Sequence, residues 1–395
     1  MLFNIERHEK LRVKNYNNDD INVFCSELID ETIKRFHEET LWPIHKLDLE
    51  KDEEAKEYGF KDLYFGSSGI LWLMHQLNQK INYKEVINRS LELYLCQRSD
   101  EERKEASSLF FGEVGIRLMK NKFDPSLENT SKLYDLIHTH IDNPFNEVLY
   151  GNQGTLIAAF EMLKSTKDDR FKQLFQETKD AIFKSWKWND DFKCFLWAQN
   201  FGEELTFIGA AHGTFGNIQA LMYCKDLLSS DEVNLINNRT KELLIELSLC
   251  SNDGDVNWRA RVDSEKTPLL HWCHGSPGII CSVSHFLPRD KEVDELLLRA
   301  GETIWKAGPL KKGTSLCHGT SGNSFAFLKL YERFKDEIWI ERASKFLAHS
   351  IEQSKEMRKE FGDYRYSLWT GDLGIVWLNH CLKRNHASLP ILDII

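Results

Sequence analysis

Three short turns carry the residues best suited to chemistry. They read Gly209-Ala210-Ala211-His212-Gly213-Thr214-Phe215-Gly216, His271-Trp272-Cys273-His274-Gly275-Ser276-Pro277-Gly278 and Ser315-Leu316-Cys317-His318-Gly319-Thr320-Ser321-Gly322. In each, a His or a Cys-His dipeptide stands just before the first glycine of a Gly-x-x-Gly. Thiolate sulfur and imidazole nitrogen are zinc ligands, and catalytic zinc sites use three protein ligands with one position open. Cys273-His274 and Cys317-His318 are too far apart for a local finger, so they can share a metal only if the fold brings equivalent turns together. The spacing alone leaves open which histidine would join Cys273 and Cys317. His212, one turn earlier, is a side chain able to give or take a proton near neutral pH.

The elements that would position these turns are visible in the glycines. Fourteen of the 22 glycines form seven Gly-x-x-Gly pairs: Gly66/Gly69, Gly112/Gly115, Gly151/Gly154, Gly213/Gly216, Gly275/Gly278, Gly319/Gly322 and Gly371/Gly374. Chance would give roughly one such pair, and a recurring unit of about 40–60 residues signals a repeat architecture. The pairs open apolar stretches such as Ile70-Leu71-Trp72-Leu73-Met74 and Ser324-Phe325-Ala326-Phe327-Leu328. Helices that are apolar nearly all round are buried. Between them lie amphipathic segments, Glu85–Gln97, Phe171–Trp186, Asp231–Leu249 and Asp336–Gln353, which read as outer helices with one wet face. The expected fold is all-α: an α/α toroid, or double ring, of seven helix pairs, with all the glycine turns at one end. An open solenoid is the alternative; the ring is favoured because the inner helices are so apolar and an open array would leave terminal ones needing caps. The whole chain, 1–395, reads as one domain, with 1–58 supplying an N-terminal outer helix and an extension.

Composition agrees. The chain has 395 residues, 42% of them hydrophobic, and a formal net charge of -10. This excludes wholesale disorder and argues against nucleic acid as a partner. The N-terminus, Met1 to Lys14, is charged and has no apolar core of signal length, so the expected location is cytoplasmic. The nine cysteines, an odd number, are then expected to be mostly free thiols.

The motifs Ala211-His212-Gly213, Trp272-Cys273-His274-Gly275 and Cys317-His318-Gly319 resemble those of the lanthionine synthetase C-like (LanC-like) family. So do Asn146-Glu147-Val148-Leu149-Tyr150-Gly151 and Lys311-Lys312-Gly313, and the likeness runs from about Gly59 to Leu378. The longer matches are similar to the eukaryotic branch rather than to the bacterial lantibiotic cyclases. The resemblance implies a zinc ion on Cys273, Cys317 and His318. It makes His212 an acid/base group, with Glu147 and His274 as further catalytic candidates. It implies glutathione as the thiol, with Lys312 and Arg365 as candidates for its carboxylates, and dehydroalanine or dehydrobutyrine residues of proteins or peptides as acceptors. The activity implied is a transferase-like thiol addition that forms a thioether. A lanthionine-forming peptide cyclase and a non-catalytic glutathione-binding or signalling protein are the alternatives. A peripheral membrane association is also compatible with the resemblance. Two positions depart from the family pattern, Glu360 where relatives carry an arginine and Asn152 where they look basic.

Overall fold

The computed structural model describes residues 1–12, 17–49, 58–97 and 107–395. Parts of the N-terminal extension, 13–16 and 50–57, therefore lie outside the described residues. The inner helices are α2 (Ser67–Gln76), α4 (Glu113–Phe123), α6 (Asn152–Thr166), α8 (Thr214–Tyr223), α10 (Ser276–Val283), α12 (Thr320–Phe334) and α14 (Leu373–Leu382). The outer ones are α1 (Asn18–Lys34), α3 (Tyr83–Gln97), α5 (Leu127–His138), α7 (Asp169–Ser185), α9 (Ser230–Glu246), α11 (Lys291–Ala307) and α13 (Glu337–Phe361). Each inner helix packs on the next, and α14 packs on α2, so the ring is closed. At the seam Trp72 meets Trp377 edge to face, with ring centroids 4.8 Å apart. The N-terminal helix α1 lies across the same seam, against α13 and α14.

The amphipathic segments expected as outer helices are found there, and the seven apolar stretches form the inner circle, buried along almost their whole length. Outer helices start on side-chain caps, including a Ser229/Glu232 capping box on α9 and Asp290 on α11. Six of the inner helices start on glycine without a side-chain cap, and α14 starts one residue past its glycine, on Asp372, also without one. Their first N–H groups are satisfied by the preceding loop, which wraps the helix end: Thr320, Ser321 and Gly322 donate to the carbonyls of Gly313, Thr314 and Ser315. That wrapping leaves no room for a Cβ at the second glycine. One at Gly322 would lie 2.0 Å from the Leu316 carbonyl oxygen, and one at Gly278 1.8 Å from that of Trp272.

Among the described residues, three two-stranded hairpins interrupt the helical pattern. They pair β1 (Lys187–Asn189) with β2 (Cys194–Leu196), β3 (Gln199–Asn200) with β4 (Glu204–Leu205), and β5 (Leu249–Cys250) with β6 (Val256–Asn257). At the end of the ring away from the glycine turns, the C-terminal tail buries Leu389, Ile391 and Leu392. There Asp393 pairs with the buried Lys329 at 2.9 Å and accepts from Gln219 at 2.8 Å. All nine cysteines are free of disulfides. Among the described residues, no helix is long and apolar enough to cross a membrane.

Candidate metal centre and active site

The turns are stitched together by their backbones. The residue two places before each first glycine lies on one circle: Tyr64, Phe110, Leu149, Ala211, Cys273, Cys317 and Trp369. Cys273 N–H donates to the Cys317 carbonyl at 3.0 Å, Cys317 to Trp369 at 3.0 Å, Trp369 to Tyr64 at 3.4 Å and Tyr64 to Phe110 at 3.2 Å. Phe110 donates to Leu149 at 3.4 Å and Ala211 to Cys273 at 3.4 Å. This circle is what makes two distant cysteines neighbours. One link differs: Leu149 N–H donates not to Ala211 but to a carboxylate oxygen of Glu147, at 3.0 Å.

One ligand atom each from Cys273, Cys317 and His318 lies within 4.8 Å of the other two. Tetrahedral zinc–thiolate bonds of ~2.3 Å separate two sulfurs by ~3.8 Å, so atoms this close are within reach of one tetrahedral zinc. The donors are also the types that zinc prefers. Burial pushes the Cys317 thiol up, but hydrogen bonds with Cys273, His318 and Tyr64 outweigh it and hold the thiol well below its ordinary value. The hydrogen bond to Cys317, then burial, holds Cys273 well above it.

Two partners of this cluster were not singled out in the sequence. His271 Nδ1 lies 3.1 Å from Cys273 Sγ, and the buried Tyr64 touches Cys317. His271 sits four places before its first glycine. In other turns that position holds a residue that caps the loop: Asp62 accepts from Tyr64 N–H at 2.8 Å, and Ser315 from His318 N–H at 3.3 Å. Alignment of the seven turns on their glycines is the signal that marks it.

Glu147 occupies the same capping position in the third turn and is fully buried. Besides Leu149 N–H it accepts from Tyr150 N–H and from His212 Nδ1, the last at 3.1 Å. Burial lowers the His212 pKa, but the hydrogen bond to Glu147 and its charge more than offset this, so it stands above its ordinary value. His274 behaves oppositely. Burial and then the neighbouring His212 push it down to about 4, so its ring stays neutral near pH 7. It stacks on Phe207 at 5.6 Å, and its buried Nδ1 has no hydrogen-bond partner. His274 is not among the three clustered ligands.

Lys312 is exposed, and its charge reaches both Cys273 and His271, as that of Arg7 reaches His271. Arg7 arrives on the N-terminal segment, whose carbonyl at Arg7 accepts from Lys311 N–H at 3.0 Å. Arg365 is placed differently from a free anion receptor. Its guanidinium forms a buried, two-pronged ion pair with Asp48, which also accepts from Thr370 Oγ1 at 2.9 Å. Asn152 is buried and donates to the Ile141 carbonyl at 2.9 Å, while Glu360 is exposed on the last turn of α13.

The lanthionine synthetase C-like protein family matches residues 61–391. Glutathione S-transferase LANCL1 of Danio rerio is 29% identical over 261 residues, covering 63% of this chain and 62% of that protein. LanC-like protein GCL1 of Arabidopsis thaliana is 29% identical over 178 residues, covering 44% of this chain and 40% of that protein. The chain thus spans less than two thirds of the length of each of these relatives. Nisin cyclase superimposes with a TM-score of 0.59 at 16% identity, over 94% of this chain and 96% of its own, a likeness of fold. The match to the family over most of the chain, on the same ring of glycine turns that holds the Cys-Cys-His cluster, makes this protein a member of the lanthionine synthetase C-like family.

Proposed function

We propose that this protein adds a thiol, glutathione in the first instance, to the alkene of a dehydroalanine or dehydrobutyrine residue in a protein or peptide, with zinc held by Cys273, Cys317 and His318. The observation that carries this reading is the company the cluster keeps. The turn beside it holds a histidine whose proton affinity is raised by a buried carboxylate, and the two turns are joined directly by the Ala211–Cys273 hydrogen bond. When bound, zinc with three protein ligands offers an open position that keeps a thiol deprotonated and nucleophilic.

The thiol gives its proton to solvent, from which His212 is recharged; its sulfur bonds to the β-carbon, and the C=C π pair moves onto the carbonyl oxygen as an enolate. His212 then delivers a proton to the α-carbon. Glu147 holds Nδ1–H and leaves Nε2 to face the substrate, and its charge stabilises the imidazolium that must be present before delivery. His274, kept neutral by burial, is the poorer donor. Lys312 supplies a cation for a carboxylate of glutathione, a contact that favours a free acidic thiol over an internal peptide cysteine. Arg365 would serve only where that carboxylate displaced Asp48. The nine free thiols fit a reducing, cytoplasmic setting.

The test is incubation of zinc-loaded protein with glutathione and a dehydroalanine peptide, read by mass. The glutathione adduct is expected from the wild type and not from His212→Ala, which should still bind zinc and glutathione. A wild type that binds both and forms no adduct would replace this reading with a binding module.

A further inference from the structure

We infer that the half of the ring mouth away from the cysteines is the docking site for the alkene-bearing polypeptide, an extended segment with an aromatic or apolar side chain beside the dehydroamino acid and a basic residue beyond it. The inference rests on the proposed function, whose substrate it specifies.

Just before the first glycine, the fourth, fifth and sixth turns carry His212, His274 and His318. The first three turns carry Phe65, Phe111 and Tyr150 at the same place. These rings form an unbroken arc. Phe65 lies 5.9 Å from Phe111, and Phe111 stacks on Tyr150 at 4.6 Å. Tyr150 meets Phe145 at 5.6 Å, and Phe145 meets Phe201, at the tip of the β3–β4 hairpin, at 5.2 Å. Phe201 then reaches the His212 ring edge-on at 5.9 Å. None of the five rings is fully buried, although the inner helices beneath them already form a closed core. A contiguous, half-open apolar patch of this kind marks a binding surface. Aromatic rings supply large contact area at low entropic cost.

A cleft of about 680 Å³ opens beside Phe145 and Phe201, walled also by Thr139, His140 and Asn143. That volume takes a large side chain with the backbone that carries it. Charge sorts the two substrates. Exposed Asp142, Glu203 and Glu204 lie beside Phe145 and Phe201, the rings of the arc nearest His212, whereas Lys312 and Arg7 stand on the cysteine side. A thiol bearing two carboxylates is repelled from the first and drawn to the second, and a basic residue the reverse. A peptide laid along the arc ends at His212, where the proposed proton donor meets the alkene.

The test uses zinc-loaded full-length protein and a fluorescent, unreactive peptide with alanine in place of dehydroalanine, phenylalanine next to it and arginine beyond, read by anisotropy. Phe201→Ala and Phe145→Ala should each weaken binding by about tenfold. Both should leave zinc content, glutathione affinity and the far-ultraviolet circular dichroism unchanged, because neither ring lies in the core. Replacing the peptide phenylalanine by glycine should weaken wild-type binding alike. Unchanged peptide affinity in both folded variants, or in the glycine peptide, overturns the inference. Addition of glutathione to N-acetyl-dehydroalanine amide is measured in parallel. Its absence in wild type counts against the proposed function and leaves the anisotropy result to decide the arc.

Discussion

Replacing Glu147 with glutamine separates the electrostatic role of this residue from its structural one. With its amide oxygen in the Oε2 place, glutamine can still accept from Leu149 N–H and from His212 Nδ1, so that link of the circle should survive, while Tyr150 N–H, which donates to the other oxygen, loses its acceptor. The electrostatic loss is the negative charge 3.1 Å from His212 Nδ1. Two unit charges roughly 4 Å apart interact by about 4 kcal/mol at an effective dielectric of ~20. The His212 side chain is 29% exposed, so water screens part of this, and about 1–2 kcal/mol should survive, or roughly one pH unit at 1.36 kcal/mol per unit. The sign follows from the raised His212 pKa. The protonated donor is present below that pKa and lost as pH rises through it. Removing the charge lowers the pKa, so the alkaline limb of kcat/KM for thioether formation should move down by about one unit. A ring-carbon NMR titration of His212 should move with it, while zinc content stays constant. An unmoved limb in a folded, zinc-loaded Glu147→Gln protein would refute His212 as the proton donor. Glu147→Ala should behave worse for a different reason, because it strands the buried Leu149 N–H at a cost of about 1–3 kcal/mol in stability.

Other outcomes are equally definite. Purified protein should carry one zinc per chain by metal analysis, lost in Cys273→Ala and in Cys317→Ala; full occupancy in the double variant would dismiss the ligand set. Lys312→Ala should weaken glutathione by about 1–3 kcal/mol in calorimetry without changing zinc content, and an unaltered affinity would move the anion contact elsewhere, with Arg7 next. Asp393→Ala leaves the buried Lys329 ammonium, 3% exposed, without its close partner, and should cost about 3–5 kcal/mol, read as a fall in Tm. If Tm holds, the C-terminal tail does not seal the ring.

Much of this protein is written in its glycines. Inner helices are apolar all round and outer ones amphipathic because one ring is enclosed by the other, and that contrast survives in the one-dimensional pattern. The Gly-x-x-Gly pairs are legible because the loop that wraps each inner helix leaves no space for a Cβ at the second glycine, as at Gly278 and Gly322. Register then identifies Cys273, Cys317 and the histidine positions, since the same place in every turn must face the same mouth. The sequence could not say which histidine joins the cysteines, because His274 and His318 hold equivalent places. Tertiary structure separates them: His318 lies with the two sulfurs, while His274 is turned toward Phe207 and His212. It also decided the fate of Arg365, which Asp48 takes up from 317 residues away along the chain. The three hairpins and the contact of His271 with Cys273 are local, but they lie in the loops between helices, where no hydrophobic period marks them. The pairing of Glu147 with His212 joins two different turns, and only closure of the ring brings those partners within hydrogen-bonding distance.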